Sequence, residues 1–255
     1  FLAGFAALAL SANGRPAAAW TSLDGTADLT FLESRGYMAE LFSGDRLRSI
    51  DAAVPHQLFA TTGFVSTLMR GLVGLNALPA ATVDGRALPA RLQLAPQLPA
   101  SWDRLTIRNL RWQGVTADVT VRRDAGGLSV SVAPRGGPLP LELHAVLPPG
   151  ARQLTRDLLW RPVAGGGGTG PMRVSRVETL TAPATFTLRA TPGVRVEPLH
   201  APLELGDASS RLRVIDATLD GDTYTLRVEG RRGRRDHRRV LGQPVRTAEG
   251  GAVAE

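Results

Sequence analysis

The sequence predicts an α+β multidomain protein in which a helical segment is followed by an antiparallel β-sandwich. Apolar residues recur with the period of a helix up to about residue 78, and with a period of two after residue 85. Hydrophobic residues make up 43% of the 255 positions, so a core can be buried and wholesale disorder is excluded. We therefore expect residues 1–80 to be helical and residues 81–255 to form the sandwich, with a flexible, Arg-rich tail.

The first predicted helix runs from Leu2 to Ala12, where apolar residues are continuous and the Asn13-Gly14 turn signal follows. This stretch is too short to span a bilayer, which takes about 20 residues, so no membrane partner is expected. It also lacks the starting Met and the positive region of a secretory signal. A chain that starts with Phe1 inside a helix is expected to be part of a longer protein.

A second helix is predicted over residues 54–75, where apolar side chains follow the i, i+3, i+4, i+7 spacing. Asp51 suits its N-cap or first turn, Pro55 suits its first turn, and residues 76–79 end it. Its glycines should permit close approach of neighbouring elements, and part of its apolar surface should be left bare. The three glycines are Gly63, Gly71 and Gly74.

Short runs of alternating apolar and polar residues predict the strands of the sandwich, each with one face toward the core and one toward water. Turns that contain Gly or Asp separate these runs, as at residues 124–127 and 220–222. The apolar positions that define the strands are Leu105, Ile107, Val115, Ala117, Val119, Val121, Leu128, Val130, Val132, Phe186, Leu188, Tyr224, Leu226 and Val228.

The net charge of +7 is concentrated in one place, which argues against a nucleic-acid partner. Residues 231–239 contain six Arg and one Asp, and so carry +5 of that charge. A surface that follows phosphates needs a basic stripe across the whole fold.

The chain has no Cys, so disulfides and thiolate chemistry are excluded. The compartment stays open, with the cytoplasm as the first expectation, and so does the oligomeric state.

The segment between the two predicted helices holds the first candidate for chemistry. Residues 37–45 place the Glu40 carboxylate among apolar and aromatic residues, just before a Ser-Gly-Asp turn. A carboxyl group in apolar surroundings has a raised pKa and can act as a general acid or base. On spacing alone, the alternative is a helix-end Glu in a partly exposed loop, and that alternative is favoured.

The start of the second predicted helix carries His56 and Gln57, which can donate hydrogen bonds to sugar hydroxyls and accept them. The alternative for His56 is a structural role, bonding a nearby carbonyl. The other three histidines show no ligand spacing, so we expect no metal and no other cofactor. No Gly-x-Ser-x-Gly nucleophile elbow is present either.

Five segments occur in a telling order: Glu-Leu-Phe-Ser-Gly-Asp at 40–45, Val-Pro-His-Gln-Leu-Phe at 54–59, Arg-Gly-Leu-Val-Gly-Leu at 70–75, Arg-Leu-Gln-Leu-Ala-Pro-Gln-Leu-Pro at 91–99 and Ile-Arg-Asn-Leu at 107–110. This succession resembles the C-terminal end of bacterial amylo-α-1,6-glucosidase or glycogen-debranching-type proteins, of the six-hairpin (α/α)6 glycosidase superfamily. Two departures concern the substrate site. Ala39 stands where that family often has Pro, and Leu58-Phe59 replaces Ala-Trp, which removes a possible sugar-stacking Trp.

The resemblance implies that residues 1–80 are the terminal helices of an (α/α)6 barrel and that the chemistry is inverting glycoside hydrolysis. In that reaction one carboxylic acid protonates the glycosidic oxygen, while a carboxylate about 6.5–9.5 Å away activates water. Glu40 would be the general base, acting on α-glucosidic linkages, with α-1,6 as one candidate, in an oligo- or polysaccharide. The substrate-binding residues would be Tyr37, Asp45, His56 and Gln57. No counterpart of the general acid is evident, so this chain alone is expected to be inactive.

Three alternatives stay open. The first is a non-catalytic carbohydrate-binding or scaffolding sandwich, and the second is an Arg-rich nucleic-acid binder, whose binding would depend steeply on salt. The third is an α-L-rhamnosidase- or trehalase-like hydrolase of the same superfamily, because a shared fold does not fix the substrate.

Overall fold

The computed structural model describes residues 2–13, 15–30, 35–83, 85–99, 101–124, 127–152, 154, 161–162, 172–191, 193–198, 204–207, 212–230, 232–233, 235, 237–242 and 246–247. Three of the nine residues in the Arg-rich segment, and the C-terminal residues 248–255, lie outside this part of the chain.

The helical part contains three α-helices in the described residues, α1 (Leu2–Ala12), α2 (Pro16–Leu29) and α3 (Leu58–Ser66). The last one continues as a π-helical segment, Thr67–Leu72. The first helix occupies the predicted residues, whereas α2 was not predicted. Pro16 opens α2 at a position where a missing N–H costs nothing.

The predicted start of the second helix is wrong by four residues. Val54 precedes a proline and is therefore biased toward an extended backbone. Its carbonyl oxygen accepts a hydrogen bond from the Glu40 N–H, and the Gln57 N–H donates to the Met38 carbonyl. Residues 54–57 are thus paired with another segment, so the helix begins at Leu58, after Gln57 as N-cap.

The three glycines of this region do lie at close approaches, as predicted. A Cβ atom added at Gly4 of α1 would lie 2.6 Å from the Gly63 carbonyl oxygen, so the backbones of α1 and α3 nearly touch. Gly71 packs against Ser11, and Gly74 has a φ of +67° with the Ala95 carbonyl oxygen 2.2 Å from an added Cβ. Only glycine fits at Gly74.

Fifteen strands lie in the described residues. They are β1 (Asn76–Leu78), β2 (Ala81–Val83), β3 (Arg86–Leu88), β4 (Arg91–Leu94), β5 (Arg104–Trp112), β6 (Val115–Asp124), β7 (Gly127–Arg135), β8 (Leu139–Leu147), β9 (Arg161–Pro162), β10 (Met172–Leu180), β11 (Ala184–Arg189), β12 (Arg195–Pro198), β13 (Arg213–Asp220), β14 (Thr223–Glu229) and β15 (Arg238–Leu241).

Two large sheets form the sandwich, with strand orders β1-β4-β8-β10-β9 and β11-β7-β6-β5. All their pairs are antiparallel except β4 with β8, which is parallel. Alternate residues of β6 and β8 are buried, so the inner faces of both sheets contribute to one core cluster. The period of two therefore predicted the sandwich correctly, and no helix lies in its described residues.

The helical layer is joined to the sandwich by short-range polar and aromatic contacts. The Gln97 side-chain amide donates to the Ser11 carbonyl at 3.1 Å, and the Gln97 N–H donates to Leu72 at 2.8 Å. Trp20 of α2 packs edge-on against Trp102, with 5.3 Å between the ring centroids. Strand β1 already belongs to the five-stranded sheet, so sheet structure starts before residue 80. The described helices alone do not show an (α/α)6 barrel.

Candidate functional site

The loop that carries Glu40 is held against the segment that precedes α3. The Glu40 N–H donates to the Val54 carbonyl at 2.9 Å, and the Gln57 N–H donates to Met38 at 2.8 Å. These two bonds bring residues 38–40 beside residues 54–57, although the sequence separates them by about 16 positions. Met38 is buried beneath the loop, so the loop is anchored from below.

Three of the predicted site residues meet at this junction. The rings of Tyr37 and His56 are in edge-to-face contact, with 4.8 Å between their centroids. Gln57 follows at the N-cap of α3. The Glu40 side chain is exposed to solvent, and the bond that fixes its position uses its backbone N–H, so the carboxylate stays available to a ligand.

Asp45 takes a different position from the other four. Phe42 bridges to Ser49 and the Ser43 N–H donates to Arg48, so Asp45 lies at the tip of a hairpin-like turn. Its carboxylate accepts a very short hydrogen bond from the Ser43 hydroxyl, which holds the pKa of Asp45 below its usual value, aided by Arg46 and Arg48. The hydrogen bond from Ser43 therefore competes with any bond that the Asp45 carboxylate would make to a substrate.

Apolar side chains around the Glu40 loop face solvent, contrary to their usual behaviour. Leu58 is 74% exposed and Phe59 is 64% exposed, at the start of α3. The other exposed apolar residues on the paired segments are Tyr37, Leu41, Ile50 and Val54. The exposure of Leu58 and Phe59 agrees with the prediction that part of the second helix is left bare, and the other four residues lie on the segments beside it. We name these six residues the Glu40 rim.

A second polar cluster, which the sequence did not predict, lies on the outer face of the five-stranded sheet. Arg91 on β4 is only 6% exposed, and its Nε lies 2.5 Å from Glu142 Oε2 on β8. The other Glu142 oxygen lies 2.6 Å from His144 Nε2, and Gln93 Nε2 lies 3.2 Å from the same His144 nitrogen. Asn76 on β1 extends the cluster by donating to Gln93.

The alternating pattern of β8 was the available signal for this cluster, because Glu142 and His144 occupy its outward positions. Their partners could not be predicted, since β4 joins β8 across about 50 residues and in parallel. Burial by itself raises the pKa of Glu142, but hydrogen bonds from His144 and Arg91 outweigh it. The net effect is a pKa of Glu142 below its usual value.

We expect the Glu142 carboxylate to make folding stability depend on pH in the acid range. Because its folded pKa is lowered, its contribution is fully present above its unfolded value of 4.5 and is lost as pH falls through the folded pKa. Glu142→Gln should cost about 1–3 kcal/mol near pH 7, since it leaves Arg91 without a charged partner. Urea unfolding at several pH values should show that cost shrinking below pH 4.5. The exposed Glu204→Gln is the matched control, and a cost independent of pH would contradict this expectation.

The comparison with protein families gives one finding. Residues 86–145 match the family model described as glycosyl hydrolase family 65, C-terminal domain. The matched stretch runs from β3 into β8 and contains the Arg91–Glu142 pair, so it lies in the sandwich region. No curated protein and no solved structure matches the chain.

This match supports a C-terminal domain of the glycosyl hydrolase family 65 type, and a function related to glycoside hydrolases with a carbohydrate substrate. The match agrees with the resemblance in pointing to a glycoside hydrolase, but it does not point specifically to amylo-α-1,6-glucosidase. The match begins at residue 86, well after Glu40 in the chain, so the catalytic assignment gains no direct support from it.

Neither a membrane-spanning helix nor a metal-binding cluster is seen in the described residues. No described helix has the length and apolar character needed to cross a membrane. No group of three or more His, Cys, Asp or Glu residues that could hold a metal ion was found there either.

Proposed function

We propose that this chain belongs to an inverting glycoside hydrolase that acts on α-glucosidic linkages, with Glu40 as the general base. The observation that carries the proposal is the family 65-type match in the sandwich, directly after a helical layer whose loop presents Glu40 beside Tyr37 and His56. The α-1,6 linkage is the first candidate, because the segment order resembles that of debranching-type proteins.

The loop geometry supports this role for Glu40. A general base needs a carboxylate that can reach a water molecule, on a backbone that does not move when the substrate binds. The two hydrogen bonds to residues 54–57 fix the backbone, while the side chain is exposed. His56 and Gln57 lie on the segment that pairs with the Glu40 loop, and their side chains can bond the hydroxyls of a sugar.

The exposed apolar residues of the Glu40 rim support the proposal that an (α/α)6 barrel surrounds the loop. Apolar surface of this kind marks a place where another protein element packs. We propose that further helices of an (α/α)6 barrel cover the rim and carry the general acid. Covering it would exclude water from around the carboxylate, and electrostatic interactions are stronger in such a site.

The stereochemistry of the product tests this function. We expect the protein that carries this chain together with the general acid to release glucose as the β-anomer from an α-linked substrate, which proton NMR detects before mutarotation erases the difference. The substrate panel should contain α-1,6- and α-1,4-linked glucans, α,α-trehalose and an α-L-rhamnoside. Release of the α-anomer would contradict the inverting mechanism. Binding of a glucan without any hydrolysis would favour a carbohydrate-binding sandwich instead.

A further inference from the structure

A large, partly open cavity is separate from the Glu40 loop, because none of the predicted site residues lines it. Its walls come from the first turn of α2, from one end of the sandwich, and from the two small sheets β12-β15 and β13-β14. Its volume is about 460 Å³, within the range of about 300–1,000 Å³ that is typical of small-molecule sites.

The walls of the cavity are mainly apolar. Residues from eight separate parts of the chain supply them, among them Trp20, Leu98, Leu128, Val194, Ile215 and Tyr224. Burial raises the pKa of the Tyr224 hydroxyl, so this group stays neutral near pH 7. An apolar wall of this extent favours a ligand with a substantial apolar body, because a fully hydroxylated sugar would lose water without gaining partners.

Five charged residues line the cavity, Arg15, Arg123, Asp124, Arg195 and Asp216, and the first and last of them form an ion pair. Arg15, which precedes α2, has its guanidinium 3.3 Å from Asp216 on β13, and both side chains are partly exposed. Arg123 also lines the cavity, but its guanidinium bonds the carbonyl groups of Leu98, Pro99 and Trp102. The polar end of the cavity thus offers a donor and an acceptor side by side, with little net charge.

We propose that this cavity is a second binding site, for a neutral amphiphile with an apolar body and a hydroxylated head group. The body would lie against the apolar walls, and the head group would bond Arg15 and Asp216. A hydroxyl group both donates and accepts, so it suits such a pair better than a carboxylate or an ammonium group does. Alkyl glycosides have this chemistry. The site does not depend on the hydrolase activity proposed above.

Binding of n-octyl β-D-glucoside tests the proposal, measured by calorimetry at monomeric concentrations with glucose as the ligand that lacks a tail. We expect octyl glucoside to bind at least about 100-fold more tightly than glucose, since each CH₂ group of the tail that leaves water for the apolar walls adds to the affinity. Equal affinities would overturn the proposal in favour of a plain sugar site. Absence of octyl glucoside binding would overturn it altogether.

Two variants that fill the cavity complete the test, Ala18→Leu on α2 and Ala217→Leu on β13. Each should weaken octyl glucoside binding by about tenfold or more, because the added side chain occupies the volume of the ligand. Ala77→Leu, on the exposed face of β1, is the matched control and should bind normally. Melting temperatures identify a variant that does not fold. If one filling variant does not fold, the other one alone is enough for the test. Unchanged affinity in a folded filling variant would overturn the assignment of the ligand to this cavity.

The head group is tested separately with Asp216→Asn, which keeps the shape of the side chain and removes its charge. We expect affinity for octyl glucoside to fall by about three- to tenfold, as for the loss of one charge-assisted hydrogen bond. Unchanged affinity would show that the head group does not contact this pair, and would overturn that part of the proposal.

Discussion

Glu40→Gln should lower turnover on α-glucosides by about 10²–10⁴-fold in the protein that carries this chain, because a general base contributes that much. The amide has the shape of the carboxylate but cannot accept the proton of the attacking water. Substrate binding should survive, since the amide still bonds hydroxyl groups. Steady-state kinetics should therefore show the loss in kcat and little change in KM.

Two controls separate catalysis from folding in this experiment. The exposed Glu204→Gln should leave turnover unchanged. The melting temperature of Glu40→Gln should match that of the unchanged protein, because the Glu40 side chain is exposed and its structural hydrogen bond is made by its backbone. Azide, a nucleophile that needs no base, should restore part of the activity. Turnover of Glu40→Gln equal to that of the unchanged protein would remove Glu40 from the mechanism.

The sandwich was predictable because its information is local. In β6 the residues Val115, Ala117, Val119 and Val121 are all buried, and their alternation with polar residues is visible in the sequence. Local alternation does not specify which strands become neighbours. The parallel contact of β4 with β8 depends on the path of the chain over about 50 residues, so the Arg91–Glu142 pair could not be foreseen.

The start of α3 shows how tertiary pairing overrides a helical pattern. Residues 54–57 fit the apolar spacing of the helix, and Pro55 is acceptable in a first turn. In the folded chain the Val54 carbonyl and the Gln57 N–H bond residues 38–40 instead. A helix over these residues would have to give up both bonds. The same pairing brings His56 to Tyr37, so the misplaced helix start and the contact between these two candidate residues have one cause.

The sequence could nominate residues for the candidate site but could not indicate their surroundings. Resemblance and residue type together pointed to Glu40, and the structure puts Tyr37 against His56 on the paired segments. The resemblance also implied that Asp45 contacts the substrate. The turn over residues 43–48 instead directs it toward Ser43, at the tip of the loop. The apolar surroundings expected for Glu40 exist only as the exposed Glu40 rim.

Leu141→Ala should lower the free energy of unfolding by about 2–5 kcal/mol, the usual cost of cutting a fully buried leucine down to alanine. Leu141 is 0% exposed, and its strand β8 lies between β4 and β10 in the middle of the five-stranded sheet. Its loss leaves a cavity that rigid neighbouring strands cannot close. Urea unfolding measures the change, with Leu205→Ala as the matched control, because Leu205 is 70% exposed and its truncation should cost under about 0.5 kcal/mol. Leu141→Met, which conserves volume, should cost under about 1.5 kcal/mol and keeps the test usable if the alanine variant does not fold. Equal costs at positions 141 and 205 would mean that the two sheets do not pack on each other through β8.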